Sequence, residues 1–318
     1  MPGRRMKVAV VTCRAYPGIS SSDALYRDAL EELGAQVRVV PWNDGAAADA
    51  AALAGMDAVV LRSPWDYPHD LAAFLAWIAR LEEAGVRLLN RGPLVRWNVD
   101  KRYLLDLRDA GVGVPDMALL GPDADAGALR DALSALGVED GAEAVLKPAW
   151  GGSGFAVALV SRAGAADALG RAKAEAPGRP LLVQRFLPEV AAEGEASFVF
   201  IGGRFAHAVR KRPADGEFRV NSRYGPRPPE RFEPSPALLE DAQRVLSALP
   251  GGSPPLYARI DGVPGRDGRL ACLEAEVVDP ALFLDLAPET AAAFARATLE
   301  HAAGARLSAA PAPARAGR

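Results

Sequence analysis

A chain of 318 residues is longer than one compact core needs, and it reads as two or three lobes. Hydrophobic residues make up 50% and charged residues 24%, with a formal net charge of −3, which excludes a disordered chain and a basic nucleic-acid binder. No apolar run reaches the roughly 20 residues of a membrane helix, and Cys13 and Cys272 with three histidines offer neither a disulfide scaffold nor a nitrogen-ligated metal centre. Any metal is then held by carboxylates. The opening MPGRRM lacks a leader-type apolar core, so a cytoplasmic α/β protein with no membrane or nucleic-acid partner is expected.

Strands and helices alternate through the first ninety residues. MKVAVVTC, QVRVVPW, DAVVLRS and VRLLN read as strands; DALYRDALEEL, AALAG and LAAFLAWIARLEEAG read as the helices between them. That order implies a parallel sheet covered by helices, with ligands beyond the carboxyl ends of its strands. Two loops fall there, one over Thr12–Tyr16 and one over Ser63–Tyr67, beside Arg62. The second holds Trp65, Asp66 and Tyr67, and reads either as a substrate contact or as a proline turn whose aromatics anchor a helix. A helix is expected over NVDKRYLLDLRDAG, then an extended stretch over VGVPDMALL, a helix in ALRDALSAL and a strand in AEAVLKPAW. After LLVQRFL, strands dominate: ASFVFIGG, RFAHAVRKRP, EFRVNSRYG, LYARIDGV and LACLEAEVV, with a helix over LLEDAQRVLSAL. A helix over PETAAAFARATLEHAAG closes the fold, and a disordered tail is expected after it.

Two clusters stand out chemically. Lys147 ends a strand, and Gly151, Gly152, Ser153 and Gly154 follow before another strand begins. Strand, glycine loop, strand is a hairpin flap whose amides can close over phosphates, unlike a P-loop that opens a helix; an ordinary glycine hairpin is the alternative. Further on, Arg259 and Asp261 share one strand face, and Glu274 and Glu276 share the next. If the two strands pair through GVPGRDGR, three carboxylates gather beside an arginine, a charge that Mg²⁺ would relieve. A solvated acidic face is the competing reading, weakened by the apolar residues around it. His207 reads as a satisfied sheet residue. Arg219, Asn221, Arg223 and Tyr224 sit in a stretch that turns Gly/Pro-rich and could fold over a substrate.

Taken in order, these elements resemble the ATP-grasp superfamily over roughly residues 6–305, in its glutathione synthetase and D-alanine–D-alanine ligase branch. The Ser63–Tyr67 loop, FRVNSRYG and LEAEVVDPALFL resemble most the subgroup of cyclo-ligases of D-cycloserine biosynthesis, which close O-ureidoserine into a ring. The resemblance implies an α/β fold of three lobes: an N-terminal parallel α/β pre-domain (1–95), a small central domain with the flap (96–185) and a C-terminal domain of mixed and antiparallel sheet (186–306), before a tail (307–318). It implies that Lys101, Lys147 and the flap contact ATP phosphates, that Gln184, Arg185, Phe186 and Leu187 form the adenine hinge, and that Glu195 holds the ribose. Asp261, Glu274 and Glu276 would bind one or two Mg²⁺ ions, and Arg259 and Lys211 would be catalytic, stabilising an acyl phosphate. Glu276 departs from the Asn usual in this branch. A small amino-acid-like substrate is expected, met by Arg14, Arg62, Ser63, Trp65, Asp66, Tyr67, Arg219 and Asn221, and the resemblance carries an expectation of a homodimer.

The activity so implied is an ADP-forming ligase that joins a carboxylate to a nitrogen, either within one molecule or between two. The competing class is a nucleotide-binding module without catalysis, which broken carboxylates or a lost Arg259 would favour. A dinucleotide enzyme fails because Thr12–Gly18 holds no G-x-G-x-x-G after the first strand.

Overall fold

The computed structural model describes residues 4–309, so Met1–Gly3 and the expected tail from Ala310 lie outside the described residues. The chain forms two compact units: one of residues up to 92 with 255–257 and 281 onward, the other of residues 93–254 with 258–280. In the first, β1 (Lys7–Thr12), α1 (Ser21–Glu32), β2 (Gln36–Pro41), α2 (Ala50–Leu53), β3 (Ala58–Leu61), α3 (Leu71–Glu83) and β4 (Leu88–Leu89) alternate. The four strands form a parallel sheet in the order β2-β1-β3-β4. β1 and β3 are its central strands and are apolar almost throughout, as strands covered on both faces require. The order reverses between β1 and β3, so the loops after those strands lie at the switch point where open α/β sheets bind ligands.

One buried carboxylate organises that end of the sheet. Ser20 caps α1 by accepting the Asp23 N–H, and its hydroxyl donates back to the Asp23 carboxylate, an N-terminal box closed in both directions. The same carboxylate accepts from Arg62 Nε at 2.9 Å and from Ser63 Oγ at 3.0 Å. Arg62 is 0% exposed, its guanidinium 4.8 Å from the Tyr257 ring centroid and 5.7 Å from that of Phe294. Phe294 belongs to the C-terminal helix (Pro288–Ala309), which packs on α1 through a Tyr26–Phe294 stack and a Tyr26–Thr298 hydroxyl bond. That helix continues to Ala309, so residues 307–309, expected in the tail, are helical.

In the second unit, the helix expected over residues 98–110 is confined to α5 (Tyr103–Asp109), and another helix, α4 (Gly92–Asn98), ends where it was expected to begin. The Asp100 carboxylate accepts from the Arg102 main chain and guanidinium and closes a turn between them. Next come β5 (Met117–Leu120), α6 (Ala126–Ala135), β6 (Ala144–Pro148), β7 (Ala158–Val160), α7 (Ala165–Glu175) and β8 (Leu181–Arg185). The strands form an antiparallel sheet ordered β5-β8-β6-β7, with α6 and α7 burying Leu129, Leu133 and Leu169 against it. A short α8 (Glu189–Glu193) leads to β9 (Glu195–Ile201), β10 (Arg204–Lys211), β11 (Glu230–Arg231), α9 (Pro236–Ser247), β12 (Tyr257–Pro264) and β13 (Leu270–Glu276). Their sheet runs β11-β10-β9-β12-β13. The expected strand in EFRVNSRYG is absent. Glu217 accepts from the N–H groups of Phe218 and Arg219, and Asn221 caps a 3₁₀ turn over Ser222–Tyr224, so local side-chain bonds replace a ladder.

β13 is an edge strand whose outer main chain is nonetheless used. Asn98 brackets it, donating to Ala275 O and accepting from Val277 N, while Tyr103 Oη accepts the Ala275 N–H and Gly113 O the Cys272 N–H. The strand that carries two of the acidic residues is thus fixed in register on both sides. No helix among the described residues is long and apolar enough to cross a membrane.

The Asp23–Arg62 pair carries a stability prediction. Asp23→Ala leaves a fully buried guanidinium without its carboxylate and should cost about 3–5 kcal/mol in urea unfolding. A cost below about 1 kcal/mol would show that water reaches Arg62, as for a surface pair.

Candidate functional site

The β12–β13 hairpin builds the acidic centre. Arg259 pairs with Glu276 and Asp261 with Glu274, and one bulge follows at Gly262. A side chain at Gly262 would stand 2.7 Å from Ala271 O, so the close approach of the two strands requires glycine there. Asp261, Glu274 and Glu276 each bring a carboxylate oxygen within 4.8 Å of the other two. The pairing that the alternation suggested is therefore formed, and three oxygens converge as a hard divalent cation requires.

Basic side chains surround this centre. Arg259 donates to both oxygens of Asp261 at 2.8–3.0 Å and to Glu276 at 2.7 Å. Ser197 Oγ, fully buried on β9, donates to Asp261 at 2.6 Å. Lys211 pairs with Glu195 and lies 3.7 Å from Asp261, while Lys101 pairs with Glu274 at 2.8 Å. Burial pushes the Glu276 carboxyl up to about 8, helped by the neighbouring Asp261 and Glu274 charges and opposed by Arg259. Burial would raise Glu274 too, but Lys101 and Lys147 outweigh it and hold that carboxyl well below the usual range. Lys147, 5% exposed, is brought down to about 8 by burial and by the Lys101 charge.

Lys101 also ties this centre to the flap. Its N–H donates to Ala149 O, and Ala149 N donates to Pro180 O, so the root of the glycine loop is fixed at both main-chain groups. The flap itself turns through Ser153, Gly154 and Ala156, all at positive φ. Gly152 and Ser153 are exposed at its tip. The 217–225 loop docks on it: Tyr224 Oη donates to Gly154 O at 2.8 Å and Arg219 Nη1 to Val157 O at 3.0 Å. A Cβ at Gly154 would meet the Tyr224 ring at 2.7 Å. Arg219 lies 3.7 Å from the Tyr224 ring centroid and forms a two-oxygen pair with Glu217; Asn221 accepts from Arg223 N. Arg219 and Asn221, expected at a substrate, thus brace the loop and the flap.

Of the four residues expected at the hinge, two lie within a strand and two follow it. Gln184 and Arg185 lie inside the sheet, paired with Met117, Val145 and Ala144, so their main chain serves the ladder. Phe186 and Leu187 follow the strand end, and Phe186 packs edge-on against Phe218 of the 217–225 loop. The Gln184 side chain shares the Lys147 face of the sheet, and its Nε2 is buried without a hydrogen-bond partner. A buried donor left unpaired on that face fits a ligand that brings an acceptor, as a purine does.

In the first unit, Arg62 and Ser63 are buried against Asp23, which removes them from the surface a substrate could reach. Tyr67 is buried too and stacks on Phe74 of α3, the helix anchor that the second reading of that loop described. Asp66 binds the loop after β2, accepting from Trp42 Nε1 and Asn43 Nδ2. Trp65 meets Tyr16 edge-to-face at 5.3 Å, and the exposed Arg14 pairs with Asp44.

Over 286 residues the chain is 32% identical to the cycloserine biosynthesis protein DcsG of Streptomyces lavendulae, a span of 86% of this chain and 91% of that protein. The chain belongs to the DcsG family of ATP-grasp ligases. A crystal structure of D-cycloserine synthetase DcsG matches it with a TM-score of 0.83 and 31% identity, covering 93% of this chain and 99% of that one. Residues 8–90 match the N-terminal domain of D-cycloserine synthetase DcsG, and residues 126–235 the ATP-grasp domain of prokaryotic glutathione synthetase. A glutathione synthetase of Parasynechococcus marenigrum is 34% identical over 189 residues, 58% of this chain and 57% of that protein. As a member of the ATP-grasp ligases, the DcsG-family chain is an ADP-forming carbon–nitrogen ligase of a family that binds ATP.

Ser197, Asn98 and Tyr103 escaped the sequence reading. Ser197 stands two residues after Glu195 on a strand and so shares its face, a signal that was present. Nothing local marks Asn98 and Tyr103, whose partners lie more than 170 residues away.

The loop–flap contact gives a second prediction. Tyr224→Phe keeps the ring and removes the bond to Gly154 O, and should raise the KM for ATP several-fold with melting temperature unchanged. An unaltered KM for ATP would show that this bond does not govern the flap.

Proposed function

We propose that this enzyme activates the carboxylate of a small amino-acid-like substrate as an acyl phosphate and closes it into a ring through a nitrogen of the same molecule, as in cycloserine formation. The observation that carries the reading is the extent of the likeness. The N-terminal domain and nearly the whole chain align with D-cycloserine synthetase, whereas the glutathione synthetase likeness leaves out two-fifths of the chain. An O-ureidoserine-like molecule, with a carboxylate, an ammonium group and an oxygen-bound ureido nitrogen that closes a five-membered ring on the acyl carbon, is the substrate class.

Asp261, Glu274 and Glu276 would hold one or two Mg²⁺ ions, which when bound neutralise phosphate oxygens. Lys101, Lys147 and the amides of Gly151–Gly154 meet the triphosphate, Phe186, Leu187 and the Gln184 side chain meet the adenine, and Glu195 meets the ribose. A substrate carboxylate oxygen attacks the γ-phosphorus and ADP leaves. The substrate nitrogen then attacks the acyl carbon, passes through a tetrahedral oxyanion facing Arg259 and Lys211, and expels phosphate. The flap keeps water from the acyl phosphate. Within the first unit, Arg14, Trp65 and Asp66 are the members of the expected substrate set that keep some exposure.

Mass spectrometry of reactions with ATP, Mg²⁺ and ureido or hydroxylamino derivatives of amino acids tests the reading. ADP with a product lighter than one substrate molecule is expected; two substrate molecules joined with loss of water would indicate an intermolecular ligase, and AMP would sink the acyl-phosphate route. Lys147→Ala and Glu274→Ala should each abolish product formation with the fold retained, and normal turnover by the Glu274 variant would refute the metal assignment. Asp66→Asn sets an amide donor against Trp42 or Asn43 and should raise the KM for the organic substrate alone. A raised KM for ATP instead would assign that loop to the nucleotide.

A further inference from the structure

We propose that Arg179 is a positioning residue that clamps the root of the glycine flap and thereby keeps ATP cleavage coupled to product formation. The inference rests on the reading of residues 151–154 as the cover over the nucleotide phosphates.

Arg179 lies between α7 and β8, outside every motif in the sequence, yet its side chain reaches both arms of the flap. Nη1 donates to Trp150 O at 2.7 Å, the last carbonyl before the glycines. The guanidinium carbon lies 5.9 Å from the Trp150 ring centroid and 5.6 Å from that of Phe155, so one cation faces the residue entering the loop and the residue leaving it. Its own backbone is anchored beside the flap, because Pro180 O accepts the Ala149 N–H and Arg179 N donates to Ala176 O. The flap is therefore held at three places. Arg219 and Tyr224 hold it from the 217–225 loop, while Arg179 belongs to the same small sheet domain as the flap. The two loop contacts can part when that loop moves; the Arg179 contacts travel with the flap's own domain and define the hinge about which it swings.

The residue type follows from the task. A planar guanidinium can donate in its plane to a carbonyl while presenting its face to an aromatic ring. Lysine reaches one partner at a time. Without the clamp, Trp150 and Phe155 separate, the glycines sample many more conformations, and closure over the phosphates costs more ordering. Two consequences follow, weaker ATP binding and water entering before the nitrogen attacks. The second hydrolyses the acyl phosphate, returning the substrate carboxylate and inorganic phosphate with ADP already formed.

The test compares Arg179→Ala, Arg179→Gln and Arg179→Lys in the full chain. Hydrogen exchange of the 150–157 amides, measured without nucleotide, should quicken in the Ala and Gln variants and quicken less in the Lys variant. The KM for ATP should rise about tenfold in Arg179→Ala, the loss of one hydrogen bond and its ring contacts, with the KM for the organic substrate unchanged. ADP should form in excess of product. Unchanged exchange across 150–157, or a one-to-one ratio of ADP to product with an unchanged KM for ATP, overturns the clamp. A lowered melting temperature with those readouts at parental values makes Arg179 structural only, and also overturns it. Gly154→Ala, which forces a side chain against Tyr224, tests the underlying reading separately: if it leaves the KM for ATP unaltered, the flap does not cover the phosphates, whatever the Arg179 variants do.

Discussion

Three carboxylate oxygens within 4.8 Å of one another repel with about 3 kcal/mol per pair at an effective dielectric of about 20, and the rest of the second unit answers that repulsion. Arg259 bridges Asp261 and Glu276, Lys101 holds Glu274, and Lys211 stands between Glu195 and Asp261. With Lys147 facing the same group, four cations stand among the carboxyl groups of the centre. A triphosphate adds further negative charge, which is the physical case for a divalent cation entering with it. The uneven titration of the centre has the same origin: Glu274 has two lysines and stays ionised, while Glu276 has one arginine that Asp261 shares.

Precision at this centre comes from the backbone around it. Gly262 lets β12 and β13 close on each other at the bulge, and Asn98 with Tyr103 occupies the far side of β13. Lys101 sits in the turn between Asn98 and Tyr103, so the residues that fix the acidic strand also aim the lysine that pairs with it. Its amide in turn holds Ala149 at the root of the flap. The paired carboxylates, Lys101 and the flap are thus consecutive members of one hydrogen-bonded series.

Much of this was legible in the sequence. Alternation along LYARIDGV and LACLEAEVV placed Arg259 with Asp261 and Glu274 with Glu276 on facing strands, because a pleated strand has a strict period of two and the intervening turn is short. The parallel sheet followed from regular alternation of strand and helix. Readings failed where side chains bond locally or over long separations. Asp100 made a turn of the start of one apparent helix, and Glu217 with Asn221 turned an apparent strand into a loop. Arg62 was expected at a substrate because its partner, Asp23, lies 39 residues away on another element. Charge in a sequence marks where a residue is costly to bury, not where it is buried.

The separation of Asn98 from Ala275 by 177 residues has a consequence for biosynthesis of the chain. On the ribosome, the flap and its sheet emerge and can fold while β12 and β13 have yet to be translated. The helix that packs on α1 comes later still, its Thr298 meeting Tyr26 across 272 residues. Contacts of such separation form last because the intervening chain must be ordered first. A nascent chain therefore holds the glycine flap and Lys147 before the three carboxylates that complete the centre have been added.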